Sequence, residues 1–241
     1  SGKDITSEFT VNYNHSTNTV IIETKKDSNI VVSMNADKGQ QFMMPKIKIA
    51  TIVTEDGAKL ENTAETYLND VKTSSNTVVN NVSKPSPEKK QSINGKEFNE
   101  KVVLANDVIE YKIDWDLSTL NNLTLSDDQL KKGMSLFDDY DPHTTAIKDS
   151  ITVNDESGQG VSDLSFDWDD ENTSLLVSVN DVKTFLNKYA GQKLKVGFNA
   201  KVTTGFEGDI KNQAAQNDFG NSYKTNVVTA KVALPSPKKD I

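Results

Sequence analysis

The chain contains an internal repeat, and this repeat constrains its architecture more than any other feature. Residues 7–87 align with residues 162–237 with only small gaps. Both copies pass from a valine-rich segment to the same Pro-Ser-Pro spacer, at 85–87 and again at 235–237. Prolines spaced in this way favour an extended, semi-rigid linker. The repeat therefore predicts a chain of tandem modules.

The repeat also predicts where the modules begin and end. Residues 88–161 have no counterpart earlier in the chain. We therefore expect residues 1–82 to be the C-terminal half of a preceding module, with a small complete domain as the alternative. Residues 83–87 are the predicted linker and 88–234 the predicted complete module. Residues 235–241 are the predicted linker to, and start of, a next module.

The match extends upstream of the spacer, although it is weaker there. Ser7–Tyr13 parallels Ser162–Trp168, and Asn62–Ala64 parallels Asn212–Ala214. These matches carry the alignment along most of both copies.

Alternation of apolar and polar residues predicts short β-strands. The clearest is Val108–Trp115, in which Ile109, Tyr111, Ile113 and Trp115 share one face. Further alternating segments are Phe9–Tyr13, Ile47–Val53, Leu164–Trp168, Leu175–Val179, Leu194–Phe198 and Val227–Val232. A continuous apolar run, Val20–Ile22, predicts a more buried strand. The two tryptophans, Trp115 and Trp168, are expected in the core.

Two short helices are predicted among the strands. Asp181–Gly191 has a capping residue at its start, apolar residues at helical spacing and a closing glycine. Ser126–Gly133 follows the same logic over one or two turns. Neither helix separates parallel strands at regular intervals. The fold class is therefore predicted to be all-β, with tandem immunoglobulin-like sandwich modules and short helical insertions, rather than α/β.

Composition narrows the functional classes. The net charge of −8 disfavours binding to nucleic acid or to an anionic membrane, since both require a basic surface. The sequence has no cysteine and two histidines, which excludes disulfides and Cys-ligated metals. No apolar run approaches the length of a membrane span, so no membrane insertion is predicted. Phosphate-binding, zinc-protease and hydrolase motifs are missing, and the chain is predicted not to be an enzyme.

Two acidic clusters are the remaining candidates for chemistry. They are Asp138-Asp139-Asp141 and Asp167–Glu171. Solvated loop ends are the favoured interpretation, because aspartate is seldom buried without a partner. A structural calcium ion at Asp139 and Asp141 is the alternative, although neither cluster has EF-hand spacing. A carboxylate pair could also serve glycoside hydrolysis, which leaves a carbohydrate-active enzyme as the weakest hypothesis. No other cofactor is expected.

Three motifs resemble a known family. Val108–Ser118 resembles the second strand of the C-terminal domains of streptococcal antigen I/II adhesins. Lys132–Tyr140 resembles their next strand, and Asn217–Val228 resembles their closing hairpin. Enterococcal aggregation substances carry similar modules. The resemblance covers about residues 85–237 directly, and it implies a variant immunoglobulin-like fold in the extracellular stalk of a Gram-positive, cell-wall-anchored adhesin.

The resemblance also implies a self-formed isopeptide bond between a lysine and an asparagine, assisted by a buried acid. Carried over, the lysine is Lys89, with Lys90 expected on the opposite face of the strand, and the asparagine is Asn226. Asn76 is equivalent to Asn226 in the repeat and is expected to be unlinked. The acid is, in order of preference, Asp138, Asp139 or Asp116.

The implied function is a stalk that projects an adhesive head. A direct adhesive module is the alternative, because a short segment of this domain contributes to interbacterial adherence in the family. The matching place is Ser150–Asn154, which departs from the family's segment at both ends, and a plain strand is the favoured interpretation there. The expected partners are host or bacterial surface proteins or glycans, bound by the full-length adhesin.

Overall fold

A computed structural model describes residues 4–30, 46–68 and 70–234. Strands dominate and the helices are short, which confirms the predicted all-β class. The chain divides into two compact units, Ser1–Ile52 and Val53–Ile241. The module boundaries drawn from the repeat stay a prediction.

Within the described residues of the first unit, two strands form a hairpin. A short 3₁₀ turn, Thr6–Glu8, leads into β1 (Phe9–Asn14), which pairs with β2 (Thr19–Thr24) in antiparallel fashion. The predicted strand at Val20–Ile22 is present, but its predicted burial is wrong, since Ile21 is 48% exposed. An apolar run is buried only where a second layer covers it, and β2 has one paired strand as its neighbour in this unit.

The predicted strand at Ile47–Val53 is wrong, because this segment has no regular structure. Alternation indicates which side chains would share a face, but a strand also needs a neighbour to pair with its backbone. Two small antiparallel sheets follow. They are formed by β3 (Lys59–Asn62) with β6 (Val78–Asn81), and by β4 (Glu65–Leu68) with β5 (Val71–Ser74).

The remainder of the second unit contains two larger sheets. Their strands are β7 (Glu88–Ile93), β8 (Lys96–Glu97), β9 (Lys101–Val103), β10 (Val108–Asp116), β11 (Met134–Asp139), β12 (Thr144–Asn154), β13 (Leu164–Asp169), β14 (Ser174–Val179), β15 (Lys193–Val202), β16 (Gly208–Asp218), β17 (Asn221–Lys224) and β18 (Val228–Val232). The five-stranded sheet has the order β12-β15-β10-β7-β8. The seven-stranded sheet has the order β13-β14-β11-β16-β18-β9, with β17 also paired to β16. The pairs are antiparallel, apart from β18 with β9.

Both predicted helices are confirmed. Helix α1 (Asp127–Lys132) begins with a capping box between Ser126 and Gln129 and ends at Gly133, whose φ of 69° suits glycine. Helix α2 (Val182–Tyr189) begins at Asp181, whose carboxylate accepts the Thr184 amide hydrogen. Both helices lie outside the sheets as insertions between strands.

The core lies between the two large sheets. The alternation in β10 is confirmed, because Ile109, Tyr111, Ile113 and Trp115 are at most 1% exposed. Burying each of these side chains stabilises the fold by about 2–3 kcal/mol. Trp168 is half-buried and packs edge-on against Phe198. This apolar layer also contains a few polar side chains, and these form the candidate site.

Candidate functional site

Strand β7 places Lys89 inside the sandwich. Its residues alternate between solvent and core, so Glu88 and Lys90 are exposed while Lys89 is 1% exposed. Ladder pairing with Ile113 fixes the position of Lys89 along the strand. The structure therefore separates the two adjacent lysines, and Lys89 is the one that enters the core.

The Lys89 amine contacts the carboxylate of Asp138, which is carried by β11 in the opposite sheet. Aromatic rings enclose the contact, with Nζ 4.9 Å from the Tyr111 ring centre and 5.6 Å from that of Phe198. Asp138 is 1% exposed. Two residues whose side chains are normally solvated therefore meet in an apolar environment.

Burial pushes both groups toward their uncharged forms. Desolvation lowers the pKa of Lys89, and the attraction of Asp138 offsets this only in part. Desolvation likewise raises the pKa of Asp138, against the opposing effects of Lys89 and of the Asn212 amide. A neutral amine beside a protonated carboxyl is the state that this environment favours.

Asn212, on β16, is the third polar side chain at this place. It lies two residues from Ala214, which pairs with Asp138, so Asn212 and Asp138 face the core side by side. Asn212 is 1% exposed, and neither its Oδ1 nor its Nδ2 has a well-oriented partner among the described residues. The second Asp138 oxygen and the Tyr111 hydroxyl are in the same situation.

Unpaired buried polar atoms are costly, at about 1–3 kcal/mol each. Their concentration at one point therefore requires an explanation. Asn212 was not among the residues predicted from the sequence. The signal that could have found it was the repeat itself, which aligned Asn212 with Asn62, together with its inward phase two residues from Ile210.

Asn226 lies elsewhere relative to the lysine. Its side chain is exposed and bridges the Lys89 main chain, with Oδ1 accepting the Lys89 N–H at 2.8 Å and Nδ2 donating to the Lys89 carbonyl at 2.8 Å. The structure thus brings Asn226 to the backbone of Lys89 and not to its amine. This bridge ties β7 to the segment that precedes β18.

The other two candidate acids face away from the lysine. Asp139 is exposed, because it follows Asp138 in an alternating strand. Asp116 is buried at the end of β10, where it accepts the backbone N–H groups of Ser86 and Ser118, each at 2.9 Å. Asp138 alone of the three predicted acids contacts Lys89.

Comparison with known proteins identifies the family. Residues 85–232 match the cell surface antigen I/II C2 terminal domain. The chain belongs to the antigen I/II family. This confirms the predicted resemblance and places the chain at the outer cell surface, whereas anchoring in the cell wall stays a prediction.

Relatives of this antigen I/II chain agree with that assignment. An aggregation substance of Enterococcus faecalis is 31% identical over 238 residues, which cover 92% of this chain and 18% of that protein. The chain thus spans less than a fifth of that relative. The family description and this relative name a surface antigen and an aggregation protein rather than an enzyme.

Solved antigen I/II structures share the fold. The C-terminal domain of BspA from Streptococcus agalactiae is 27% identical with a TM-score of 0.52, covering 62% of this chain and 50% of that one. The C-terminal domain of AspA from Streptococcus pyogenes is 21% identical with a TM-score of 0.54, covering 62% and 52%. A further wild-type BspA C-terminal structure is 16% identical with a TM-score of 0.69, covering 95% and 77%.

A second buried polar network lies where the Pro-Ser-Pro spacer enters the antigen I/II module. Gln216 Nε2 donates to the Asp116 carbonyl at 2.8 Å and to Asp218 Oδ2 at 2.6 Å. Burial raises the pKa of Asp218 to about 7, with the neighbouring Asp116 acting in the same direction. Burial also opposes ionisation of Asp116, but hydrogen bonds from Ser118 and Ser86 outweigh it and hold its pKa low.

The described part of the chain offers no group of three or more acidic, histidine or cysteine residues that could hold a metal. Asp141 accepts the backbone N–H groups of His143 and Lys211, at 2.9 and 3.1 Å, and Asp139 points outward. Calcium at Asp139 and Asp141 stays a prediction. Across the residues described, no helix is both long and apolar enough to cross a membrane.

Proposed function

We propose that this chain is a stalk segment of a cell-surface adhesin, and that its complete module is sealed by a self-formed isopeptide bond between Lys89 and Asn212. The observation that carries the proposal is the buried contact between Lys89 and Asp138 beside the buried Asn212 amide, whose polar atoms have no well-oriented hydrogen-bond partner among the described residues. The family assignment supports the stalk role.

The reaction follows from the two uncharged groups. The neutral Lys89 amine attacks Cγ of Asn212, while the protonated Asp138 carboxyl donates a hydrogen bond to the developing oxyanion on Oδ1. Asp138 then passes the proton released by the amine to the departing amide nitrogen. A new C–N bond forms, the old one breaks, and one ammonia leaves. The residue types suffice without an oxidant or a cofactor, and the reaction occurs once per chain.

The bond would join the two sheets. Lys89 belongs to the five-stranded sheet and Asn212 to the seven-stranded sheet. Closing a loop of roughly 120 residues stabilises the fold by about 5 kcal/mol, if chain-entropy reasoning from disulfides is borrowed. Because Lys89 follows the entry spacer closely, a pulling force would reach this covalent clamp before it reached most of the core. A stalk that is pulled would therefore bear the force on a covalent bond before most of its core could unfold.

Asn226 has a different role in this proposal. By bridging the Lys89 main chain, it holds the strand that presents the amine. It is a positioning residue, whose loss would slow the reaction without removing a reacting atom.

Intact-mass measurement of the denatured chain tests the bond. We expect one ammonia less than the calculated mass, and peptide mapping that joins Lys89 to Asn212. Lys89→Ala, Asp138→Ala and Asn212→Ala should keep the full mass. The matched controls are the exposed neighbours, and Lys90→Ala and Asp139→Asn should both form the bond. A wild-type chain at full calculated mass would contradict the proposal.

The same experiment separates the two asparagines. If Asn226 were the reacting residue, as the family resemblance suggested, Asn226→Ala would keep the full mass and Asn212→Ala would lose ammonia. We expect the reverse, with Asn226→Ala forming the bond more slowly in a time course of newly refolded protein. Mapping of the cross-link to Asn226 would refute Asn212 while retaining the bond.

A direct adhesive role is the second candidate, and one observation favours it. Ser150–Asn154 lies on β12, the edge strand of the five-stranded sheet, and a register shift between Ile147 and Thr152 overlaps it. Residues 160–161 already pair with Val153 and Asn154, so the edge is available only toward Ser150. An edge strand leaves backbone groups available for pairing with a partner. The partners would be host or microbial surface proteins or glycans. Cells displaying the full-length protein with Thr152→Glu, at the exposed position of this segment, should lose adherence if this role is correct, and keep it if the segment is only part of a stalk.

A further inference from the structure

Strands β10 and β16 belong to different sheets, and the contact between the lysine and the acid fixes how they face each other. Ile113 of β10 pairs with Lys89, and Ala214 of β16 pairs with Asp138. Because the Lys89 amine contacts Asp138 across the core, Ile113 and Ala214 lie level with each other on the two sheets.

A second bridge between these strands fixes their relative direction. The Gln216 side chain accepts the Asp116 N–H at 2.9 Å and donates to the Asp116 carbonyl at 2.8 Å. Both residues come after the first bridge in their own strand, so β10 and β16 run in the same direction. Two residues before the first bridge, Tyr111 on β10 therefore lies level with Asn212 on β16. Each of these two residues is 1% exposed, so both side chains lie in the core.

The Tyr111 hydroxyl is buried there without a well-oriented hydrogen-bond partner among the described residues. The Lys89 amine lies over the face of the Tyr111 ring, so it approaches the ring rather than the hydroxyl. A phenylalanine would pack in the same way against Phe198, whose ring centre is 5.3 Å away, and it would bury no unpaired polar atom. Packing therefore does not explain why this residue carries a hydroxyl.

The surroundings keep this hydroxyl protonated. Burial raises the pKa of Tyr111, negative charge on Asp138 acts in the same direction, and the side chain of Asn212 acts against both. A protonated phenol can donate one hydrogen bond. The group beside it that gains negative charge during the proposed reaction is the Asn212 amide oxygen. The site therefore holds a second buried donor in addition to the Asp138 carboxyl.

We propose that Tyr111 is a further catalytic residue of the cross-linking reaction, and that its hydroxyl donates a hydrogen bond to Oδ1 of Asn212 while the Lys89 amine attacks. This inference rests on the bond proposed between Lys89 and Asn212. The hydrogen bond is poorly aligned in the unreacted chain and strengthens as Oδ1 becomes an oxyanion, so it stabilises the transition state more than the ground state. Tyr111 keeps its proton throughout, and Asp138 alone carries the amine proton to the departing nitrogen.

The test follows the loss of ammonia in newly made chains. The full chain is synthesised in a cell-free system, samples are denatured in acid at intervals, and intact masses give the cross-linked fraction. We expect Tyr111→Phe to react roughly a hundredfold more slowly than the wild type, as on loss of one oxyanion donor, and to reach the same final mass. Tyr140→Phe is the matched control, since Tyr140 is also buried and packs against Phe198, and it should react at the wild-type rate.

A stability measurement separates the catalytic role of the hydroxyl from a structural one. Lys89→Met removes the amine, so a chain that carries this substitution cannot form the bond. In that background, Tyr111→Phe removes an unpaired buried hydroxyl, and the urea midpoint should stay the same or rise. A clearly lower midpoint would show that the hydroxyl supports the fold, and a slow reaction of Tyr111→Phe would then not indicate catalysis.

The wild-type chain distinguishes the failure of this inference from the failure of the function on which it rests. If the wild type loses one ammonia and Tyr111→Phe does so at least as fast, Tyr111 is not catalytic and the Lys89–Asn212 bond stands. If the wild type keeps its full mass, the bond itself is refuted, and the role of Tyr111 with it. A cross-link mapped to Asn226 would also refute this role, because Tyr111 lies level with Asn212.

Discussion

The chain contains one hairpin arrangement in two environments. Around Asn212 it belongs to a sandwich whose apolar side chains are almost wholly buried, and the asparagine lies beside a buried lysine and acid. Around Asn62 the ladder and its side-chain bonds are the same, but the face is exposed. Local geometry is therefore set by the local sequence, through turn residues and a hydroxyl that bridges the backbone. Burial, and the reactivity that follows from it, comes from a distant segment.

Hydrogen exchange should show the largest difference between the two copies. Backbone amides of β16 exchange only when a packed sandwich opens, whereas those of β3 belong to a two-stranded sheet, which is marginal in water. We expect exchange from β16 to be roughly a thousandfold slower, which corresponds to about 4 kcal/mol of opening free energy. Comparable protection of the two strands would show that the earlier copy has a core of its own.

Truncation of equivalent apolar side chains should lower the free energy of unfolding by different amounts in the two copies. This difference should be smaller than the difference in exchange. Ile210→Ala leaves a cavity in the buried core and should lower the free energy of unfolding by about 3 kcal/mol. Leu60→Ala changes a side chain that is 38% exposed and should cost less than about 1 kcal/mol. Urea unfolding followed by tryptophan fluorescence gives the first value, because both tryptophans lie in the complete module, and exchange of the β3 amides gives the second. An equal effect of the two substitutions would break the comparison.

Sequence predicted the donors of the site better than its acceptor. Lys89 and Asp138 were expected from the family resemblance, and Lys90 was expected on the opposite face of the strand. The inward face of β16 was not predicted, because apolar residues do not mark it: its members are Ile210, Asn212, Ala214, Gln216 and Asp218. Because three of these five residues are polar, alternation of apolar and polar residues does not show which face of β16 is buried. The family resemblance pointed to Asn226, whose amide contacts the main chain of Lys89 rather than its amine.

The strands show the same limit. Val108–Trp115 was predicted correctly because its alternation matches a sheet with one buried face. Ile47–Val53 alternates as well but forms no strand, and Val20–Ile22 forms a strand that is not buried. Periodicity shows which side chains share a face. Residues elsewhere in the chain determine whether a second strand pairs with this segment or a second layer packs on that face.

Between about pH 5 and pH 7, the pH dependence of stability should come from the complete module, because Asp218 aligns with the apolar Leu68 in the repeat. The folded-state pKa of Asp218, about 7, lies above the ordinary value of 3.8. The folded state therefore keeps a proton that the unfolded state has lost, and stability falls as the pH rises. The expected slope is up to about 1.4 kcal/mol per pH unit, hence about 2 kcal/mol between about pH 5 and pH 7.

Asp218→Asn tests this by urea unfolding across that window. The variant removes the titration while leaving an oxygen to accept the Gln216 bond, so its stability should be flatter with pH and should exceed the wild type near neutrality. Asp138 also has a raised pKa and acts in the same direction, so the wild-type-minus-variant difference isolates Asp218. The exposed Asp209→Asn is the matched control. A variant with the wild-type slope would assign the titration to another group.

The smallest expected difference concerns the hydroxyl that both copies use. Thr225→Val leaves the buried Ala214 N–H without its acceptor, which should cost about 1–2 kcal/mol. Ser75→Ala removes the equivalent acceptor of Ala64, but water can replace it on an exposed strand, and the cost should stay within about 0.5 kcal/mol. Thr225→Ser keeps the hydroxyl and should retain most of the stability. Urea midpoints give the first and third values, and exchange of the Ala64 amide gives the second. If removal of the two hydroxyls lowered the free energy of unfolding equally, water would be excluded from the earlier copy as it is from the complete module. The two copies would then not differ in environment even at a single hydrogen bond.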